Sequence, residues 1–519
     1  MALASTSAAA VEGIAAHTIT VEANVGPGLP GMHIVGLGDA AVRESRDRIR
    51  TAVANSQLPW PRTKIMVSLS PANLPKSGSH FDLPIAVAVI ASMDPRAERR
   101  LESAMIVGEL GLAGQLRRVD GILQILMCGI DSAETIIIPL ENAAEAELVD
   151  SPSIRVARTL TDVWEWAIGQ RDLPTVSQAL DCDDGAAAGR ATARIGTQMG
   201  AGLDFADIAG NDHARWACEV AAAGGHHMMM LGAPGSGKSM LAQRLPSILP
   251  PLSPRQMVEA TAIHSVSGEG TGSVIRTAPF VAPHPSLTRV ALIGGGSGAP
   301  RPGAVSRAHN GVLFLDEASE NAPATLDALR IPLENGEVSL IRNRREIRYP
   351  AHFQLVLAAN LCSCGAEDAA RCSCTSSERQ NYLRNISGPL RDRIDITLRT
   401  TSVGAIINAA DAEPSAVIAQ RVADARERAA YRWGGAGVDA STNARVESAL
   451  LRRHFPATES AMAYLSAQLS GTDLTQRGVD RVLKLSWTIA DLGASPQPTI
   501  DHVAQAMELR SGAGQGVLA

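Results

Sequence analysis

Between residues 1 and 175, apolar and polar positions alternate with a period of two in HTITVEANV, KIMVSLS and ETIIIPL, which predicts strands. AAVRESRDRIRTAVANS and FDLPIAVAVIASM, in the same region, carry helical spacing, so an α/β domain is expected over 1–175. The pattern then breaks. DCDDGAAAGRATARIGTQMGAGLD (181–204) is small, polar and glycine-rich, and a flexible linker is expected over 176–204. Short apolar strands and helices alternate again over 205–400, the span that carries the phosphate-binding motifs. From 401 to 519 helix formers dominate, with glycine and proline mostly at the joins, which predicts a helical lid. No repeat at solenoid periods is visible.

Length supports this division: 519 residues exceed what one core organises, so two to four domains are expected. The formal net charge of -6 excludes a generally basic, DNA-coating surface but leaves room for a focused basic stripe. The N-terminal segment MALASTSAAAVEGIAAHT lacks the charge and apolar core of a secretion signal. Nowhere do about 18 uncharged apolar residues run together. A soluble, cytoplasmic protein without membrane contact is the expectation.

The chemistry begins in MMMLGAPGSGKS, where an apolar strand, a glycine-rich turn and a helix satisfy GxxxxGK[ST] in its required context. Gly232, Ala233, Pro234, Gly235, Ser236, Gly237, Lys238, Ser239 and Met240 form the candidate phosphate site. Glycines let backbone N–H groups converge on phosphate oxygens, and the helix start adds partial positive charge. Lys238 suits the β and γ phosphates of ATP, and the Ser239 hydroxyl suits Mg²⁺. Downstream, NGVLFLDEAS ends an apolar strand in Asp316, a candidate magnesium partner, and Glu317, a candidate base for the attacking water. FQLVLAANLC ends a second buried strand in Asn360, which could orient that water. LRDRIDI offers Arg391 and Arg393, and TQRGVDRVL offers Arg477. Arginines on helices are ordinarily solvated, so these gain meaning only from their order along the chain.

That order resembles an AAA+ ATPase. The resemblance implies that Arg393 is an arginine finger reaching the γ-phosphate on a neighbouring subunit, and that Arg477 is the sensor 2 arginine of the lid. A finger acting in trans implies a homo-oligomeric ring, most simply a hexamer. Two further stretches, FVAPHPSLTRVALIGGGSGAPRPGAVSRAHNG and the hairpin-like VSLIRNRREIRYP, resemble the inserts of the helix-2-insert, pre-sensor-1-hairpin clade, in which both face the central pore. Arg342, Arg344 and Arg345 would then face a nucleic-acid strand; the bland alternative is a charged, solvated tip.

Over essentially its whole length the chain is similar to the magnesium-chelatase-like ComM (YifB) family. The similarity is carried by GLPGMHIVGLGDAAVRESRDRIRTAVANS, LSPANLPKSGSHFDLPIAVAVI, AAAGGHHMMMLGAPGSGKSMLAQRLPSILPPL, AHNGVLFLDE and ISGPLRDRIDI. It departs from the family pattern at Leu361 and Ser363, where prolines are expected, and at APHPS, where a His-His pair is expected. The N-terminal region also resembles the proteolytic domain of Lon. Its nucleophile position falls at His80, with Ser79 one residue early, and Leu123 stands where the lysine base belongs, so a Lon-like fold without proteolysis is implied.

Seven cysteines are present, and Cys362, Cys364, Cys372 and Cys374 form C-x-C-x7-C-x-C after the Asn360 strand. Four thiolates suit tetrahedral Zn²⁺, though the one-residue spacers are tighter than usual; redox-labile or unligated thiols are the alternatives. Cys128, Cys182 and Cys218 are scattered, and His226 and His227 read as strand-end packing.

The family resemblance implies a hexameric ATPase motor on single-stranded or branched DNA. It further implies branch migration in homologous recombination and natural transformation, alongside recombination proteins. The alternative is a chelatase-type ATPase that remodels a protein partner for metal insertion.

Overall fold

The computed structural model describes residues 2–36, 40–76, 78–149, 151–187, 202–267, 274–296, 300–342, 345–366, 372–401, 412–438, 440–470 and 475–512. The N-terminal part is built on a seven-stranded mixed sheet. In spatial order its strands are Gly31–Val35, Lys64–Ser70, Ala15–Gly26, Ala2–Glu12, Ala104–Ile106, Thr135–Pro139 and Ile154–Ala157. The period-two signal is realised: Ile19, Val21 and Ala23 are buried on one face of their strand, and Ile65, Val67 and Leu69 on that of its neighbour. Helix Asp82–Ala91 is buried on every side, as its unbroken apolar sequence requires. The one charge in it, Asp82, is held by Arg48 at 2.5 and 3.0 Å and accepts from the Leu110 N–H at 3.2 Å.

Composition alone predicts flexible chain from residue 176, but Val176–Ala187 is helical. Val176, Ala179 and Leu180, at i, i+3 and i+4, supply a small apolar face that packs on the N-terminal core and outweighs the polar tail. Residues 188–201 lie outside the described residues.

The second sheet is five-stranded and parallel throughout, in the order Phe280–Val281, Val312–Leu315, Gln354–Ala359, Met228–Gly232 and Ile396–Thr400. Its central strand, Gln354–Ala359, is buried at all six positions, the signature of a parallel sheet covered on both faces. Met228–Gly232, Val312–Leu315 and Gln354–Ala359 are neighbours in parallel register, so their C-terminal ends open together, where open α/β sheets bind ligands. Helix Pro254–Ser267 ties this unit to the N-terminal one: the Gly121 N–H donates to Ser265 Oγ at 2.8 Å, and Gln124 Nε2 donates to the Ala262 carbonyl at 3.0 Å.

The C-terminal region is helical, with Ser415–Gly435, Ser448–His454, Glu459–Ser470, Gln476–Leu492 and Ile500–Ser511. It shares one apolar core with the sheet unit: Ile418, Val422, Val482 and Leu483 pack with Val220, Met230 and Val356. A buried polar cluster reinforces that seam. Asp395, fully buried before the last sheet strand, meets Arg481 of the lid at 2.7 Å and the His226 imidazole at 3.1 Å. His226 reaches on to Thr488 of the lid at 2.8 Å. Burial alone would raise the Asp395 pKa, but Arg481 and His226 overcome it and hold the carboxyl below the usual aspartate range. The depressed value fixes the sign: the stabilisation is complete above the ordinary aspartate pKa of ~4 and is lost as pH falls below it. Asp395→Asn is expected to cost about 3–5 kcal/mol at neutral pH, because it strands the Arg481 cation in a buried seam. A urea midpoint equal to wild type would remove this role from Asp395.

Candidate functional site

The glycine-rich turn leaves strand Met228–Gly232 and enters helix Lys238–Arg244. Gly235 and Gly237 have φ of +80° and +87°, and no atom beyond its chain neighbours lies within 4 Å of where a Cβ on Gly235 would sit, so the turn leaves open space there for a phosphate. Gly232 is needed for a different reason. A Cβ there would lie 2.2 Å from Thr400 Oγ1 and 2.4 Å from the Thr400 carbonyl, so only glycine lets the last sheet strand approach. Ser236 Oγ is 2.7 Å from Thr400 Oγ1, which fixes the turn from that side.

Lys238 Nζ donates to the Gly232 and Ala233 carbonyls at 2.7 and 2.8 Å and to Asn360 Oδ1 at 3.2 Å. The lysine and the Asn360 strand end therefore meet directly. Burial lowers the Lys238 pKa, opposed by Asp316 and Glu317. Ser239 Oγ donates to Asp316 Oδ2 at 2.7 Å, pairing the two oxygens expected to serve one magnesium ion. Asp316 Oδ1 accepts from the Glu317 N–H at 2.9 Å. Glu317 is exposed and left-handed at φ +48°, a conformation that costs about 1–3 kcal/mol and turns the side chain out of the strand line. Met240 is 43 % exposed on the following helix.

Two residues outside any sequence motif also stand here. Tyr382 stands among Glu320, Glu317 and Asn360; burial first, and then the carboxylates, push its phenol pKa up. Glu334 holds Arg393, whose Nη2 donates to the Glu334 carboxylate while Nη1 donates to the Pro389 carbonyl at 2.6 Å. Within the single chain Arg393 is thus buried, with its neighbour Arg391 exposed two residues earlier. Arg477 is exposed at the start of helix Gln476–Leu492, and no described contact joins it to the glycine-rich turn.

The two inserts come together. Strands Glu337–Arg342 and Arg345–Pro350 pair antiparallel, with Arg342 opposite Arg345 at the tip. The Tyr349 hydroxyl donates to the Pro300 carbonyl at 2.8 Å, and a Cβ on Gly294 would lie 3.1 Å from Leu340 Cδ1, so the glycine-rich insert lies against this hairpin. Ile341, next to the tip, is 72 % exposed. Arg344 lies outside the described residues, as do the side chains of Arg342 and Arg345.

After strand Gln354–Ala359, the sulfurs of Cys362, Cys364, Cys372 and Cys374 all lie within 4.8 Å of one another, the one such grouping of His, Cys, Asp and Glu among the described residues. His226 and His227 do not belong to it. His227 Nδ1 accepts from the Leu355 N–H at 3.1 Å, and burial lowers its pKa to about 4. In the N-terminal unit, Ser79 donates to the Glu109 carboxylate and His80 Nε2 lies 2.9 Å from the Ala9 carbonyl. Leu123 is buried, and Lys76, fully buried, donates to the Pro71 carbonyl. No described contact joins Lys76 to Ser79.

No helix among the described residues is long and apolar enough to cross a membrane. Three family models match: "Magnesium chelatase, subunit ChlI" over 204–406, "Subunit ChlI of Mg-chelatase" over 21–142, and "Magnesium chelatase, subunit ChlI C-terminal" over 412–510. An uncharacterized protein of Mycobacterium tuberculosis is 46% identical over 514 residues, covering 98% of this chain and 99% of its own. The competence protein ComM of Haemophilus influenzae is 36% identical, covering 98% of each chain. The YifB protein of Escherichia coli is 36% identical, covering 98% of this chain and 97% of its own. With both insert strands in place, the nucleotide motifs on one sheet edge and relatives matching end to end, the chain belongs to the magnesium-chelatase-like ComM (YifB) family.

Proposed function

We propose that the chain is an ATP-hydrolysing ring motor that acts on DNA, moving a branched junction so that heteroduplex extends during recombination of taken-up DNA. The observation that carries the ATPase reading is the convergence of Lys238, Asn360 and the Ser239–Asp316 pair at adjacent strand ends, with Glu317 beside them. The residues present fit the group they are expected to hold. The open glycine turn and Lys238 would take the phosphates, and Ser239 and Asp316 would hold Mg²⁺. Bound there, Mg²⁺ would supply positive charge against the charge that develops on the phosphates. Glu317 would accept the proton of the attacking water, and Asn360 would orient that water. The four cysteine sulfurs fit a second ion, Zn²⁺.

The DNA reading is supported by the packed inserts, by the basic hairpin sequence and by the name competence protein carried by the Haemophilus relative. In a ring of copies, most simply six, the hairpin tips would face one channel. The family models' chelatase descriptions favour a second reading, in which the same ATPase remodels a protein partner. Measuring ATP turnover with and without branched DNA, at two salt concentrations, separates them. Stimulation by DNA that weakens with salt and disappears in Arg344→Ala/Arg345→Ala supports the motor; stimulation by a protein partner alone supports the remodeller.

The Glu334–Arg393 pair gives a further expected result. Glu334 is more than half exposed, so the pair is worth only about 0.2–1 kcal/mol. Glu334→Gln should therefore free Arg393 for the neighbouring subunit and raise turnover at limiting protein concentration by up to about five-fold, which is 1 kcal/mol converted at RT. A fall in turnover would instead make Glu334 part of the catalytic machinery.

A further inference from the structure

The loop between strand Gln354–Ala359 and helix Ser376–Arg384 has little to hold it in place by burial. Of its described residues from 361 to 375, Cys362 alone is buried. Yet its first part touches the nucleotide site at two points. It starts immediately after Asn360, which accepts from Lys238 Nζ. At Gly365, left-handed at φ +73°, it turns against the glycine-rich loop: a Cβ there would lie 3.0 Å from Pro234 Cγ and 3.1 Å from Cδ. Cys362 and Cys364 stand between these two contacts, and Cys372 and Cys374 follow Gly365. Cys362 Sγ is 3.2 Å from Cys364 and 3.5 Å from Cys372, and Cys364 is 3.5 Å from Cys372. With Zn–S bonds of about 2.3 Å, the edge of a tetrahedral four-thiolate site is about 3.8 Å, so all four sulfurs can reach one ion with shifts of about 1 Å or less.

We propose that a Zn²⁺ ion bound by Cys362, Cys364, Cys372 and Cys374 braces the nucleotide site, pinning Gly365 against Pro234 and holding Asn360 in register with Lys238. The proposal rests on the nucleotide reading above and adds to it a dependence of nucleotide handling on a metal held outside the glycine-rich turn. The ion is structural: its coordination is closed by four protein ligands, and the energy that binds it is spent ordering a loop that lacks a core of its own. Pro234 is the contact through which that order passes.

The test uses the full-length chain. Zinc content is measured by metal analysis, and affinity for a fluorescent ATP analogue is measured before chelation, after chelation and after Zn²⁺ is restored. Circular dichroism follows the fold throughout. The expected result is one zinc per chain, weaker analogue binding when stripped, and recovery on reloading. ATP turnover should fall by up to about 100-fold, the effect of misplacing a catalytic group by about 1 Å. Pro234→Ala supplies a variant that keeps all four cysteines: it should retain zinc but show a much smaller difference between loaded and stripped forms. A chain that carries zinc and binds the analogue equally well when stripped overturns the brace and leaves the nucleotide reading standing. A chain that carries no zinc overturns the metal site, and a zinc-loaded chain that binds no nucleotide overturns the reading on which the brace rests. A Pro234→Ala chain that responds to chelation as wild type does removes the Gly365 contact as the route.

Discussion

Arg393→Ala is expected to lower ATP turnover by about 10³-fold or more while leaving nucleotide binding nearly intact, the range measured for arginine fingers supplied from outside a phosphate site. The reason is positional. Arg393 follows helix Gly388–Arg391 and is tied to Glu334 and Pro389 of its own chain, with no described contact to Lys238, Asp316 or Glu317. In the proposed ring, an Arg393 held this way would serve the γ-phosphate of another copy. Mixing supplies the decisive measurement. Arg393→Ala and Lys238→Ala chains, each inactive alone, should recover turnover together, because some interfaces then join an intact phosphate loop to an intact guanidinium. Absence of recovery, with rings still forming, would falsify action in trans; undiminished turnover in Arg393→Ala alone would move the role to exposed Arg391.

Glu317→Gln should reduce turnover by about 10²–10⁴-fold, the usual contribution of a positioned general base, with ATP affinity unchanged. The separation of effects follows from the geometry. Asp316 takes the Ser239 hydroxyl on one oxygen and the Glu317 N–H on the other, so the amide substitution leaves the Ser239–Asp316 pair and its backbone support as they are. The Glu317 side chain, carried outward by a left-handed backbone, loses only its ability to accept a proton. Equilibrium binding of a non-hydrolysable analogue beside single-turnover hydrolysis checks this. Equal losses in both would mean that Glu317 holds the metal.

The glycine-rich turn was legible because its chemistry is contiguous: eight residues in a row specify strand, loop and helix start. Asp316 and Asn360 were legible as the first polar positions after apolar runs, and the parallel sheet sets those ends side by side. Distant pairings were not. Glu334 sits 59 positions before Arg393, and Arg481 sits 86 after Asp395, separations that leave no periodic trace. The helix Val176–Ala187 was hidden because its apolar face is only a few residues wide within a polar, small-residue stretch. Gly365 against Pro234 is a contact of backbone with ring, which no charge or hydropathy pattern announces. The cysteine cluster was visible in spacing, but its closeness to the phosphate loop was not.

The turn that joins the first two strands of the N-terminal sheet lies against the second strand of the hairpin, Arg345–Pro350. Gly13, at φ +66°, passes so near that a Cβ would lie 2.7 Å from Ile347 Cγ2. A tug on the hairpin tip therefore cannot be absorbed by the hairpin alone: it either drags the amino-terminal sheet with it or unseats Ile347. If the proposed motor moves DNA through this hairpin, removing residues 1–204 takes away its backstop, and ATP turnover should persist while DNA movement is lost.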